Sequence, residues 1–167
     1  NEQMDNLKSR INKNYNPVWL LRSRNQSRWR TYAENIIWPL FHYILNPAKE
    51  VNLDSDGSDA NNSWYDYVKF NEAYAMKIGE IYQPGDIIWI HDYYLLLLPQ
   101  LLRMRFSSEI GNNLTIGYFH HAPWPSYEYF RCLPRRKEIL DGLVGADRIS
   151  FQNEQFSRHF VSSCKRL

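Results

Sequence analysis

The feature that most restricts this chain is the return of short β-branched and aromatic runs between longer stretches with helical spacing. Ile87–His91 (IIWIH) follows the turn QPGD, and Leu114–His120 follows the polar linker SSEIGNN; each reads as a strand. Helical patterns separate and follow them, from about Tyr93 to Arg105, over 134–145, and from Glu154 to Arg166, with a short strand at Arg148–Phe151. Strands that alternate with helices pair in parallel, because a parallel pair needs a crossover long enough to hold a helix. The expected fold is an α/β, doubly wound parallel sheet with helices on both faces.

Upstream, Pro17–Leu21 (PVWLL) reads as a further buried strand. From Ser27 to about Ile44, the residues Trp29, Tyr32, Ala33, Ile36, Ile37, Leu40, Phe41 and Ile44 fall at helical spacing, and Pro39 predicts a kink or two shorter helices. A second amphipathic helix places Trp64, Tyr67, Val68, Tyr74, Ala75, Ile78 and Ile81 on one face. Asn71 falls in that stripe, either as a buried hydrogen-bonding residue or as a ligand contact. Between the two helices, EVNLDSDGSDANN has the composition of an exposed loop over about 50–62. The expected organisation is a polar lead-in over 1–14 and one domain over 15–167, in a chain long enough to bury a sizeable core.

Charge and composition exclude several function classes. With 20 Lys+Arg against 18 Asp+Glu, net +2, the chain has no basic stripe for nucleic acid and no polybasic membrane segment. The longest apolar run, Leu95–Leu98, is far too short to span a bilayer, and the polar start NEQMDNLKSRINKN reads as no signal peptide. Its abrupt ends suggest a fragment of something longer. Cys132 and Cys164 lack any CxxC or metal-ligand spacing; they read as reduced thiols in a cytoplasmic protein with no metal site and no cofactor.

Open parallel sheets bind ligands beyond the carboxyl ends of their strands. Two strands here end in polar residues, which nominates Asp92 and His121. Asp92 reads equally well as an N-cap of the next helix, and His121 as a packed turn histidine before Pro123 and Pro125. Aromatic residues make up 16% of the chain; many fill a core, and the rest offer flat amphipathic surfaces to a sugar or an interface.

Longer strings carry more. GDIIWIHDYYLLLLPQLLR, IGYFHHAPWPSYEYFRCLPRRKEILDGLVGADRISFQ and SRHFVSSCKRL, with PVWLL and IIWPLFHY ahead of them, resemble the trehalose-6-phosphate synthases in order and spacing over roughly residues 15–167. The resemblance implies part of the N-terminal Rossmann-like lobe of a two-lobed (GT-B) glycosyltransferase. Such an enzyme moves glucose from UDP-glucose to glucose 6-phosphate with retention and without a metal. It also implies site roles: Asp92 as the aspartate that hydrogen-bonds sugar hydroxyls, His121 as the histidine against the transferred glucose, and Trp38 as a tryptophan of the acceptor pocket. Trp29 stands where the family carries a tyrosine that binds the acceptor phosphate. Arg131 matches a nearby position and reads first as structural. No active catalytic residue is expected, because the family's glycine-rich loop and C-terminal cation clamp lie outside the matched strings.

The departures from that family pattern concern the pocket. Trp29 replaces the phosphate-binding phenol with an indole, whose only donor sits elsewhere. Tyr32-Ala33-Glu34 stands where the family has Phe-Ser-Asn, HDYH becomes HDYY with Tyr94, and HTPFPSSE becomes HAPWPSYE through Ala122, Trp124 and Tyr127. A kept frame around a drifted pocket resembles the regulatory subunits of the fungal trehalose synthase complex. The alternatives are the synthase-like domain of a trehalose-6-phosphate phosphatase and an active synthase. The implied partners are the catalytic synthase and phosphatase subunits, with glucose 6-phosphate or UDP-glucose bound weakly. Trp124, Tyr127 and Tyr129 are the expected interface aromatics, with the alternative that Trp124 fills the slot of the family's phenylalanine; the arginines from Arg22 to Arg30 are the next candidate. Arg135, Arg136 and Lys137, at a helix start unfavourable to cations, are a further place for a partner or an anion.

Overall fold

The computed structural model describes residues 15–18, 20, 28–44, 58–106 and 113–167. Three strands, β1 (Ile87–His91), β2 (Thr115–His120) and β3 (Arg148–Phe151), form a parallel sheet in the order β1-β2-β3. Ile90 lies beside Tyr118, and Tyr118 beside Ile149. This register puts Ile90, Ile116, Tyr118 and His120 on one face, and all four are buried. Side chains alternate across a strand, so Ile87 and Trp89 turn to the other face. They are 68% and 58% exposed there, and no described helix covers them. The parallel α/β architecture expected from the strand–helix alternation is present, with its helix layer on the Tyr118 face among the described residues.

The first helical stretch runs as α1 (Arg28–Tyr32), a π-helical turn (Ala33–Ile37) and α2 (Trp38–Phe41). Pro39 lacks the N–H that would reach back one α-turn, and its ring crowds the carbonyl there. The chain answers with a wider turn, in which Trp38 N–H bonds to Ala33 O, and the helix is neither broken nor split.

α3 (Ser58–Ile81) packs along α1. The helix starts at Ser58, so the loop expected over about 50–62 does not extend through Ser58–Asn62, where helix continues despite Asn and Asp. Residues 50–57 lie outside the described ones. Tertiary packing of Tyr67, Phe70 and Ala75 outweighs the weak helix propensity at the start.

A 3₁₀ turn (Tyr93–Leu95) and α4 (Leu98–Arg105) follow β1; α5 (Tyr127–Phe130) and α6 (Arg136–Leu143) follow β2; α7 (Glu154–Lys165) closes the chain. α4 packs on α3 and on α6. The single helix expected from Tyr93 is divided because Pro99 sits at the second position of α4, where a missing N–H costs nothing. Arg103 ties this layer to the sheet: it donates to Gly145 O (2.9 Å) and Leu114 O (2.9 Å) and pairs with Asp147 (2.8 Å), which accepts Ile116 N–H.

Two sequence readings change. Pro17, Val18 and Leu20 form no strand; Trp19 and Leu21 lie outside the described residues. Pro17 has no N–H to offer a ladder, and an apolar run becomes a strand only beside a partner. Of the two readings of Trp124, the surface one fails: the side chain is fully buried among Phe41, His120, Phe130, Phe151 and Phe160, with centroids 5.0–5.9 Å away. The indole fills the space where rings from α2, α5, α7 and β3 meet.

Candidate functional site

The carboxyl ends of β1 and β2 bring Asp92 and His121 together. Asp92 has φ 68° and ψ 176°, backbone space that is almost exclusively glycine's. Its own N–H bonds to Phe119 O (2.9 Å), and its carbonyl accepts from Leu95 N–H (3.1 Å). The carboxylate Oδ1 accepts from His121 N–H (3.2 Å) and Ala122 N–H (3.4 Å). It therefore does not cap the following turn. Next to it, the His91 and His121 rings share a hydrogen bond of 3.1 Å between Nδ1 and Nε2.

α3 holds this strand end from behind. The buried Tyr67 donates to Tyr93 O (2.7 Å) and accepts from Leu96 N–H (3.3 Å). Asn71, fully buried, donates to Tyr67 O (2.9 Å) and Tyr94 O (3.1 Å). Of the two readings open for Asn71, the structure gives the hydrogen-bonding one. Burial pushes the Tyr67 phenol far above its usual range, so it stays a neutral donor.

Below the surface, His120 is fully buried, with Nδ1 2.9 Å from Tyr118 Oη and 3.9 Å from Asp92 Oδ1. Burial pushes the imidazole down to about 4, against the opposing pull of the Asp92 carboxylate and the Pro123 carbonyl. The ring is neutral at pH 7. The Tyr118 phenol, raised well above its usual range by burial, stays neutral beside it.

In front of β1 lies a cavity of about 330 Å³ lined by Trp29, Arg30, Glu34, Phe70, Tyr74, His91, Tyr94 and Leu95. Trp29 stacks on Phe70, centroids 3.9 Å apart and 10° between planes, and Arg30 lies over the indole at 5.2 Å. Tyr93 Oη donates to Tyr94 Oη (2.8 Å), which donates to Glu34 Oε1 (3.4 Å). Glu34 follows immediately on the start of the π turn, a type of distortion frequent at functional sites.

Of the sequence candidates, Trp29 lines this cavity and His121 reaches it through His91. Asp92 fixes the adjoining backbone. Trp38 does not line it; its indole is 38% exposed and stacks on His42 at 4.2 Å. Phe70, Tyr74 and His91 are not among the site residues nominated from the sequence; Tyr74 falls there only in an apolar helix face and His91 only at a strand end. The spacing of Phe70 and Tyr74, four apart on α3, and the position of His91 at a strand's carboxyl end were the available signals. Arg135 pairs locally with Glu138 (3.2 Å) and Arg131 with Glu128 (3.5 Å). Arg22 and Arg24 lie outside the described residues. Both cysteines are free thiols, and no described helix is long and apolar enough to cross a membrane.

A parallel sheet with polar strand ends fits many chemistries; the comparison with known proteins decides between them. The model of glycosyltransferase family 20 matches residues 1–167. The chain belongs to glycosyltransferase family 20. It is 73% identical over 157 residues to a trehalose-phosphatase of Saccharomyces cerevisiae, covering 94% of this chain and 16% of that protein. To a UDP-forming α,α-trehalose-phosphate synthase of Candida albicans it is 40% identical over 166 residues, 98% of this chain and 32% of the relative. To a trehalose synthase complex regulatory subunit of S. cerevisiae it is 40% identical over 141 residues, 83% of this chain and 12% of the relative. The solved N-terminal domain of a C. albicans trehalose-6-phosphate phosphatase superposes with a TM-score of 0.81 at 55% identity, covering 99% of this chain and 33% of that one. The family 20 chain thus spans about a sixth of the yeast phosphatase it matches and a third of the solved domain.

Proposed function

We propose that this family 20 chain is part of the synthase-like lobe of a trehalose-phosphatase polypeptide, and that the lobe itself does not transfer glucose. The observation that carries the assignment is the gap in identity: 73% to a trehalose-phosphatase against 40% to a synthase and 40% to a regulatory subunit. Chain segments this close share one polypeptide's constraints, which favours the phosphatase over the regulatory subunit expected from pocket drift alone.

The non-catalytic part rests on the cavity. A transferase that accepts a sugar phosphate needs cations or amide donors around the dianion. The cavity offers an indole and the Glu34 carboxylate, whose charge offsets that of Arg30. Breaking a glycosyl–diphosphate bond also needs a clamp for the leaving group, and the resemblance puts that clamp in the C-terminal lobe. The relative named for a trehalose synthase complex supports synthase and phosphatase subunits as partners.

The test is phosphate release from trehalose 6-phosphate by the full-length protein. Release at rates typical of an enzyme supports the assignment. Its absence, in folded protein, returns the chain to the regulatory-subunit reading.

A further inference from the structure

The cavity beside β1 has walls of a mixed kind. Trp29, Phe70, Tyr74 and Tyr94 give it flat apolar surfaces; Glu34 gives a carboxylate, Arg30 a guanidinium, and His91 an imidazole. From these groups we infer that the cavity binds an uncharged polyhydroxylated ring, an unphosphorylated sugar, and rejects the corresponding sugar phosphate. This deepens the reading of the lobe as a sugar-recognising relative that has lost transfer.

Charge decides between ligand classes. A phosphate dianion entering the cavity meets the Glu34 carboxylate, whose charge offsets that of the Arg30 guanidinium on the same wall. An organic cation would find aromatic faces, but the Trp29 π-cloud is engaged by Arg30, whose charge repels a second cation. A neutral ring with adjacent hydroxyls suits both signs at once. One hydroxyl donates to Glu34 in a short charge-assisted bond, and another accepts from Arg30 or from a histidine N–H. The C–H face of such a ring packs on the aromatic walls. A volume of about 330 Å³ lies at the small end of ordinary ligand pockets, in keeping with one or two sugar rings.

The walls are also preorganised. Trp29 is fixed by its 3.9 Å stack on Phe70, and the Glu34 carboxylate is approached by a hydroxyl chain, Tyr93 to Tyr94, itself anchored through Tyr67 and Asn71 on α3. Groups held this way lose little freedom on binding.

The experiment is saturation-transfer NMR and calorimetric titration of the full-length protein with glucose, trehalose and glucose 6-phosphate, in wild type, Glu34→Gln and Tyr94→Phe. Glu34 is exposed, so its substitution acts on the cavity and not on the core. The expected result is saturable binding of glucose or trehalose. Glucose 6-phosphate should bind at least tenfold more weakly than glucose, and Glu34→Gln should narrow that difference by weakening the neutral sugar and strengthening the phosphate. Tyr94→Phe should weaken the neutral sugar without changing its preference over the phosphate. Absence of saturable binding for both neutral sugars, glucose 6-phosphate binding as tightly as glucose, or neutral-sugar binding unchanged in both variants would each overturn the inference. UDP release from UDP-glucose and glucose 6-phosphate, measured on the same samples, bears on the loss of transfer alone, so the two readings fail separately.

Discussion

Asp92 and His121 meet across the ends of two parallel strands: the Asp92 carboxylate accepts the His121 backbone N–H at 3.2 Å from a residue whose φ is 68°. The side chain holds the turn after β2 in place, while its own Cβ sits in backbone space that suits only glycine. Such positions cost on the order of 1–3 kcal/mol and persist where the surroundings enforce them.

Two substitutions separate those effects. Asp92→Ala keeps the strained backbone and loses both N–H acceptors, and should destabilise the intact protein by about 1–3 kcal/mol. Asp92→Gly loses the same bonds but relieves the backbone, so its loss should be smaller by about 1 kcal/mol or more. Chemical denaturation of the two variants checks the order; Gly less stable than Ala would mean that Asp92 carries no strain.

Acid sensitivity follows from His120. Its pKa in the fold, about 4, lies below the usual 6.5 because the ring is buried. The unfolded chain therefore takes up a proton between those values when the folded one does not. Stability falls as pH drops from 6.5 towards 4, by an amount on the order of 2–3 kcal/mol at the lower end. His120→Gln keeps an acceptor for Tyr118 and cannot titrate. Its stability should depend less steeply on pH between 6.5 and 4 than wild type; parallel curves would count against a buried neutral His120.

Gly142 in α6 poses two effects of opposite sign. Alanine in a helix interior is about 1 kcal/mol better than glycine by propensity. A Cβ there, however, would stand 2.6 Å from Leu96 O and 2.8 Å from Leu97 Cα, both backbone. Helix α6 must then move off the segment that carries Tyr93 and Tyr94, so Gly142→Ala should lower the melting temperature by several degrees. A variant as stable as wild type would show that α6 can slide freely.

The drift of the cavity wall can be tested by reversal. Restoring the family's residues with Trp29→Tyr and Glu34→Asn adds back a phenol and removes an anion. Glucose 6-phosphate affinity should rise roughly ten- to a hundredfold, the equivalent of about 1–3 kcal/mol. Calorimetry on the folded double variant reads this directly, and unchanged affinity would place the loss elsewhere in the pocket.

How much of this was legible in the sequence depends on whether a residue's role is local. IIWIH, LTIGYFH and RISF announced their strands because β-branched and aromatic residues crowd together between turn signals, and the parallel pairing followed from the helices between them. The strand-end rule found Asp92 and His121. Pro39 announced a disturbance but not its form, since a π turn and a kink relieve the same clash. Trp124 and Pro17–Leu21 misled because an indole or an apolar run takes its place from neighbours distant in the chain. Phe70 and Tyr74, four apart, and His91 at a strand end carry a local signal, but their meeting in one cavity depends on α3 and β1 converging with α1, a tertiary fact.

The central claim is that the lobe keeps a synthase's frame without its transfer chemistry. The most direct measurement is UDP release by the full-length protein given UDP-glucose and glucose 6-phosphate, against a control without protein. The account predicts release indistinguishable from that control while trehalose 6-phosphate is dephosphorylated by the same sample. UDP formed in step with trehalose 6-phosphate, and abolished by Asp92→Ala in protein that still folds, would contradict it.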